Sequence, residues 1–573
     1  MKFELCVGGA AVALAAVVTG CAVGVEKYIP EPKPVKSSVE VTAVYYPGTD
    51  WMAEWDMVDQ VYPHIKPTLG WYDEGHPENI DWQIKWAAEH GVTSFLVDWY
   101  WCKGVQRLDH WVKAFPKAKF RKHLKWYMNW CNHNEPGAHS VADQTAVTKW
   151  WIDHYFKTDG YYKDETGRPL VVIWEWTNLE RDFAAILKAE GKTLQPGDGL
   201  KYALDLSRKL AKEAGLPGIR FACFANGGRI KNQMPALHRA GIEELFQYNF
   251  AWPHQVKAGL SPERAREFAS CPSRTKSPWR YDFAWSREAS YGWWQRNWDK
   301  DDIPYWPTLA TGWNSTPRDF GGASAQTNRT VAEFRKVCEE AKRFCADTGC
   351  RRVVVGPMNE WQEGSYIEPN AEFGFAMYDA LRDVFCEKPS AGWPENLTPD
   401  SIGRPNPQFA PMPFYDRTSW DFNDGHQGWY RNPYGTQTIW PHDGEIEFFR
   451  TFAKRTPVAI RTRVKAFEAA KFACCKVRLR LKPNLGRGDV GRPKGDEAVR
   501  LMWGRVGKPI LQKDGNADVS AQSSAKAVLD GEWHEYVLPL KGNPDWNGRV
   551  DDLWFDPSDL LYVNAEIDWI RFE

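Results

Sequence analysis

The chain has 573 residues, 43% of them hydrophobic, with 73 Lys and Arg against 74 Asp and Glu, a net charge of −1. That length allows several domains with cores of their own, and the near-zero charge provides no electrostatic footprint for nucleic acid, so that class of partner is excluded. The one compositional oddity is 32 Trp; aromatic faces stack on the C–H faces of pyranose rings, so the excess points towards carbohydrate, although most Trp side chains in any protein serve packing.

At the N-terminus Lys2 precedes an apolar run, Leu5 to Val18, too short to span a bilayer comfortably and of signal-peptide proportions. Val18-Thr19-Gly20-Cys21 then reads as a bacterial lipobox with Val where Leu is usual. The expectation is a lipoprotein signal peptide over residues 1–21, lipidation of Cys21, and a mature protein outside the cytoplasm, tethered to a membrane in the periplasm, outer membrane or cell surface. An uncleaved N-terminal anchor leads to the same compartment. A Pro- and Lys-containing spacer, 22–38, follows. The ten remaining Cys form no CxxC pair and no zinc spacing, so no metal is expected; Cys102, Cys131 and Cys223 read as buried thiols, and a bridge among Cys338, Cys345 and Cys350 is left open.

Strand-like runs then recur at Val39–Tyr46, Thr93–Asp98, Leu124–Asn129, Leu170–Glu175, Ile219–Phe224, Leu245–Tyr248, Tyr305–Ala310 and Arg352–Gly356. Helical patterns lie between most of them, such as Ile80–His90 and Leu200–Ala214, each with a Gly just past its end. Eight strands alternating with helices over residues 39–388 predict an α/β fold, a (β/α)8 TIM barrel. No Gly-rich phosphate turn follows the first strand, which argues against a doubly wound sheet and a nucleotide cofactor; no cofactor of any kind is expected.

Chemistry in such barrels gathers at the C-terminal ends of the strands. The residues predicted there suit sugar binding: Tyr46, Asp98, Trp99, Trp101, Asn129, His133, Glu175, Tyr248, Trp252, Trp313, Asn314 and Arg318, with Trp361 in the final segment. Each has an ordinary alternative: Asp98 as a cap, Glu175 as an ion-pair partner, His133 as a solvated loop residue.

The last predicted strand, Arg352–Gly356, runs into a pair of carboxylates, Glu360 and Glu363. In a helical first turn residues three apart share a face with Cβ atoms roughly 5–6 Å apart. At that separation one carboxyl can stay protonated as a general acid while the other works ionised. A solvated helix start explains the same letters, with Asn359 and Gln362 as a capping box and the glutamates complementing the dipole. The segment NEWQEGSYIEP (Asn359–Pro369) resembles the NEW-x-EG-x-x-[LI]EP signature of WbsX-like proteins and of glycoside hydrolase family 99-like barrels. GVTSFLVDWYW (Gly91–Trp101) and GWNSTPR (Gly312–Arg318) are similar to two further blocks of the same family, with departures at Asp98 and Asn314.

That resemblance implies an exported glycoside hydrolase acting on a polysaccharide or complex glycan, mannosidase-like or active on a sulfated polymer. Glu363 is then the general acid and base, and Glu360 deprotonates the sugar 2-hydroxyl to form a 1,2-anhydro intermediate with net retention, or acts directly as nucleophile. Two other classes stand beside it: a non-catalytic surface glycan-binding lipoprotein, and a WbsX-like glycosyltransferase, which the absence of nucleotide sugars outside the cytoplasm disfavours.

Beyond the barrel, Pro389, Pro394, Pro399, Pro405, Pro407, Pro411 and Pro413 mark residues 389–415 as a semi-extended linker. Short alternating strands from there on, including Glu445–Phe449, Val458–Val464, Lys476–Leu481, His534–Leu538 and Glu566–Phe572, predict an all-β sandwich over 416–573. Its opening WDFNDGHQGW and closing IDWIRF resemble strands of jelly-roll carbohydrate-binding modules, with Trp429, Trp440, Trp503, Trp533 and Trp554 as either stacking or core residues.

Overall fold

Eight short runs rich in Val, Ile, Phe and Tyr form parallel strands, as expected of segments buried on both faces. They are β1 Glu40–Tyr45, β2 Ser94–Cys102, β3 Lys125–Trp130, β4 Leu170–Ile173, β5 Arg220–Phe224, β6 Glu244–Phe246, β7 (Tyr305–Trp306 and Thr308–Leu309) and β8 Arg352–Pro357. The computed structural model describes residues 28–573 except 49–54, 56–57, 60–61, 135, 225–229, 272–278, 300–301, 320–323, 411–413, 432–438, 450–459, 484–496, 509, 511, 514–515, 518–520 and 559–562. The expected signal peptide and the expected lipidation site Cys21 lie outside those residues. Among the described residues no helix is long and apolar enough to cross a membrane.

The strands pair in sequence order from β1 to β7, and β8 pairs with both β1 and β7, so the ring closes. Pro307 divides β7: residues 305–306 bond to β6 and residues 308–309 to β8, as expected where a residue has no N–H to donate. Helices fill the outer layer. Pro77–Glu89 and Asp198–Glu213 coincide with the predicted helices to within a few residues. All eight predicted barrel strands are present, and β2 runs four residues past its predicted end into a hairpin with Val105–Arg107.

The tryptophan excess is mostly spent inside. Trp55, Trp82, Trp86, Trp99, Trp111, Trp130, Trp151 and Trp294 in the barrel, and Trp420, Trp429, Trp503 and Trp554 in the sandwich, are essentially fully buried. Each such ring removes roughly 150–250 Å² from water, a contribution of roughly 4–6 kcal/mol at about 25 cal/mol/Å². Of the five sandwich candidates, Trp429, Trp503 and Trp554 are therefore core. Trp533 is half-buried between the guanidinium groups of Arg478 and Arg480, 4.9 and 4.6 Å from its ring centre.

The proline-rich stretch lies along the helix Pro77–Glu89. Asn406 donates to the Leu69 carbonyl and to Asn79 Oδ1 (2.8 and 2.9 Å), Arg404 forks onto Glu78 (2.8 and 2.9 Å), and Trp86 Nε1 donates to the Leu397 carbonyl. Two antiparallel sheets follow. One contains Trp440–His442, Glu445–Phe449, Val563–Phe572, Cys474–Pro483 and His534–Pro539; the other contains Tyr430–Arg431, Ile460–Glu468, Arg549–Asp556, Ala498–Arg505 and Gln522–Lys526. Val477, Leu479, Ile567 and Ile570 of the first meet Val464, Leu501, Leu553 and Phe555 of the second in one core, a sandwich whose chain crosses repeatedly between sheets.

At the base of the barrel the register pairs Glu40 with Arg352, the first residues of β1 and β8. Arg352 Nε donates to Glu40 Oε2 at 2.6 Å, its guanidinium also meets the Tyr162 hydroxyl, and it lies 4.4 Å from the Trp306 ring centre. Removing a buried cation while its carboxylate neighbours stay is costly. Glu40 is part-exposed, so Arg352→Ala is expected to lower the unfolding free energy by about 1–3 kcal/mol, read by urea unfolding followed through tryptophan fluorescence; no measurable loss contradicts this role.

Candidate active site

Side chains on a strand alternate between faces, and β2 shows what this does to a run of functional-looking residues. Asp98 and Tyr100 face the barrel axis. Trp99 and Trp101, between and beyond them, face the helices: Trp99 Nε1 donates to the Tyr155 hydroxyl (3.2 Å) and its ring meets Trp151, while Trp101 Nε1 donates to Asp143 Oδ1 (3.0 Å) and its ring lies 6.0 Å from Trp150. The expectation that Trp99 and Trp101 contact substrate is thus corrected by strand parity. The same parity identifies Tyr100, which sequence reasoning passed over.

Asp98 is 3% exposed. Its Oδ1 accepts from Asn129 Nδ2 at 2.8 Å, its register partner on β3, and its Oδ2 accepts from the Tyr248 hydroxyl at 2.9 Å. The same hydroxyl lies 3.2 Å from Glu360 Oε2. Burial pushes the Asp98 carboxyl up to about 7, against the opposing pull of donors on Asn129, Tyr248 and Cys131. Burial likewise raises the Tyr248, Tyr100 and Cys131 groups well above their ordinary values, with neighbouring acidic groups adding to it. Trp174 fixes the Tyr248 ring edge-on (4.6 Å between centres) while itself stacking flat on Phe224 (4.7 Å, 4°).

The carboxylate segment is not a helix start. Asn359–Glu360 pairs antiparallel with Ser365–Tyr366, and Trp361–Glu363 between them is a single 3-10 turn closed by Gly364 at φ +64°. The capping-box expectation fails on the same geometry: no side chain caps this turn, and Asn359 instead accepts from the Tyr46 N–H (2.8 Å) and donates to the Tyr46 carbonyl (3.0 Å) and Glu74 Oε1 (3.2 Å). Glu360 thus enters the turn from the strand and Glu363 closes it before Gly364. Glu360 is buried and Glu363 half-buried, an asymmetry that a pair dividing acid and base roles needs.

Trp361 lies under the turn, stacked on Tyr366 (4.5 Å, 18°). Below it a second acidic layer is enclosed: Glu368, of the motif's Glu-Pro, accepts from the Tyr72 hydroxyl (2.7 Å) and Gln83 Nε2 (2.9 Å), and burial pushes it up to about 7. Glu74, 0% exposed, faces His110 Nε2 at 3.3 Å.

Asn314 serves this scaffold rather than the mouth. Its N–H donates to the Glu363 carbonyl (2.6 Å) and its Oδ1 accepts from Thr316 (N–H at 3.1 Å, Oγ1 at 2.5 Å). Trp313, Trp279 and Trp252 cluster beside it, with centres 5.3 Å (Trp252–Trp313) and 6.1 Å (Trp252–Trp279) apart; Trp252, 44% exposed, offers an open ring face. His133 is exposed, edge-on to Tyr100 at 5.9 Å. Glu175 is half-buried; its N–H donates to Asn132 Oδ1 (2.7 Å), its carbonyl accepts from Asn132 Nδ2 (3.0 Å), and Thr177 donates to its carboxylate. Arg318 falls in the short helix Thr316–Asp319, with its side chain outside the described set. Among the described residues no three His, Cys, Asp or Glu side chains converge to hold a metal ion.

The structure thus gathers Tyr46, Asp98, Asn129, Tyr248, Glu360 and Glu363 at one end of the barrel. Tyr100, Cys131, Trp174, Glu74 and Glu368 join them; parity would have found Tyr100, whereas the others depend on contacts between distant strands. Gly364 is the hinge of the arrangement, since a Cβ there would stand 2.7 Å from Asn314 Cβ. Gly364→Ala is expected to destabilise by about 1–3 kcal/mol through its left-handed backbone and that contact, measured as a lowered urea midpoint, whereas Gly374→Ala, also at positive φ but in open space, isolates the backbone component; equal losses at both sites contradict the packing role.

A model of the family described as Glycosyltransferase WbsX matches residues 194–381. The chain is 22% identical over 345 residues to the uncharacterized protein WxcX of Xanthomonas campestris pv. campestris (strain B100), across 57% of this chain and 44% of that protein. It is 23% identical over 342 residues to WxcX of strain ATCC 33913. The chain spans less than half the length of these curated relatives. Among solved structures it is similar to a GH99 endo-alpha-mannosidase from Bacteroides thetaiotaomicron (TM-score 0.40, 14% identity, 60% of this chain and 96% of that one). It is also similar to a non-crystalline cellulose-specific carbohydrate-binding module of type CBM28 (TM-score 0.20, 13% identity, 28% and 96%). The barrel is accordingly WbsX-like, matched over the half that carries the Glu360–Glu363 turn.

Proposed function

We propose that the protein is a glycan-processing glycoside hydrolase. The observation that carries this reading is the placement of a buried and a half-buried carboxylate, Glu360 at the start and Glu363 at the end of one tight turn just past β8, with Glu360 against the Tyr248 hydroxyl. Barrel enzymes work at this end of their strands, and two carboxylates in unequal surroundings suit acid and base roles. The open Trp252 face supplies a stacking surface for a sugar ring.

In the proposed reaction Glu363 protonates the departing glycosidic oxygen. Glu360 takes the proton of the sugar 2-hydroxyl, whose oxygen attacks the anomeric carbon as the glycosidic bond breaks, leaving a 1,2-anhydro sugar. Water, deprotonated by Glu363, then opens that ring at the anomeric carbon while Glu360 returns its proton to O2, with net retention. Direct attack by Glu360 is the fallback. Export, lipidation at Cys21 and membrane tethering complete the proposal, with a polysaccharide or complex glycan as substrate. A second reading, sugar transfer, is favoured by the name of the family whose model matches residues 194–381.

The test is reducing-sugar release from mannans, fucose- and galactose-rich sulfated polysaccharides and N-glycans, run beside transfer from nucleotide sugars. One glycan should be cleaved, and Glu363→Gln and Glu360→Gln should each lower the rate by about 10²–10⁴-fold. Transfer without hydrolysis favours the second reading. Tight glycan binding with neither activity makes the protein a capture lipoprotein and contradicts both.

A further inference from the structure

Tyr248 has one hydroxyl proton and two carboxylate neighbours, Asp98 Oδ2 at 2.9 Å and Glu360 Oε2 at 3.2 Å. With both carboxylates ionised, one of these contacts would set a phenol lone pair against an anionic oxygen, a repulsion that a buried site cannot screen. One further proton removes the conflict. It belongs on whichever carboxyl can donate to the Tyr248 oxygen while the Tyr248 proton turns to the other.

We propose that Asp98 is a positioning residue that holds this proton, donating from Oδ2 to the Tyr248 oxygen so that Tyr248 donates to Glu360 and keeps it oriented and ionised. The inference rests on the reading of Glu360 as the base. Several observations support Asp98 over Glu360 as the holder. Asp98 is the more enclosed of the two; Asn129 occupies its other oxygen (2.8 Å), leaving Oδ2 for the proton; and burial pushes its carboxyl up to about 7. The groups facing it are Tyr100 on its own strand, Asn129 on β3, Cys131 just after β3, Tyr248 after β6 and Glu360 after β8. Burial raises Tyr100, Cys131 and Tyr248 well above their ordinary values, so none of these three ionises near neutrality.

As pH rises through about 7, Asp98 loses its proton, Tyr248 turns its own towards the new carboxylate, and Glu360 loses the Tyr248 proton. Activity of the wild type should therefore fall on the alkaline side. Asp98→Asn keeps the shape and the donor of the neutral form, its Nδ2 donating where Oδ2–H did and carrying one further N–H, and Asp98→Ala does not.

The experiment has two arms. Full-length protein labelled with ¹³Cγ aspartate is titrated from pH 4.5 to 8.5 by NMR. One signal should titrate near pH 7 and be missing from Asp98→Asn; should that variant fail to fold, the wild-type titration still decides. Absence of any aspartate signal titrating between pH 6 and 8 overturns the proposal, and this arm holds whether or not the protein cleaves glycans. In the second arm, on whichever panel glycan is cleaved, Asp98→Asn should keep at least about tenfold more kcat/KM than Asp98→Ala and show its alkaline limb displaced from that of the wild type, the limb that remains being that of the acid Glu363. An alkaline limb unmoved in Asp98→Asn, or equal losses in both variants, overturns the positioning role.

Discussion

Burying a carboxylate costs far more than burying an apolar group unless donors or a proton compensate it. At the C-terminal end of this barrel, among the described residues, the groups that meet that constraint at Asp98 are the neutral donors Asn129, Cys131 and Tyr248. Everything else at the mouth follows from supplying those donors. Tyr248 must reach Asp98 and Glu360 at once, so its ring is pinned by Trp174, which is pinned in turn by stacking on Phe224. Asn129 must stand level with Asp98, which the β2–β3 register enforces.

The same logic is repeated one layer down. Glu368 is enclosed, held by Tyr72 and Gln83, and raised towards neutrality by burial; Glu74 holds Asn359 from beneath while Asn359 clasps both backbone groups of Tyr46. The turn carrying Glu360 and Glu363 is therefore fixed through β1, through the loop after β7 by way of Asn314, and through Gly364, whose lack of a Cβ lets the Asn314 backbone approach. Such over-determination suits a site in which a misplacement of about 1 Å can cost orders of magnitude in rate.

Much of this architecture was legible in the sequence, and the reasons are physical. The barrel strands declare themselves because they are short apolar runs between amphipathic helices, and even Pro307 divides a strand without removing it from the ring. The position of Glu360 and Glu363 just past a buried strand was legible; their spacing alone fitted a helix cap as well, and only the family resemblance singled them out. The conformation of the pair was not legible, because Glu-x-x-Glu reads as a helix start, while here pairing of Asn359–Glu360 with Ser365–Tyr366 overrides local preference. Trp99 and Trp101 misled for a different reason: chemical suitability was read without strand parity, which sends them to the helix layer and Asp98 and Tyr100 to the axis. Tryptophan abundance misled in the same direction, since most of the rings are core. Contacts that join strands far apart in the chain, such as Tyr248 to Asp98 over 150 residues, leave no local trace.

The central claim is that a glycan is processed across the Glu360–Glu363 turn rather than merely held elsewhere, for example on the sandwich. It is tested most directly by a crystal structure of Glu363→Gln with an uncleaved glycan bound. The account predicts the scissile oxygen about 3 Å from the residue 363 side chain, the 2-hydroxyl of the preceding sugar beside Glu360, and a sugar face on Trp252. A glycan bound only to the sandwich, or lying across the barrel mouth with its linkages out of reach of both residues, would contradict it.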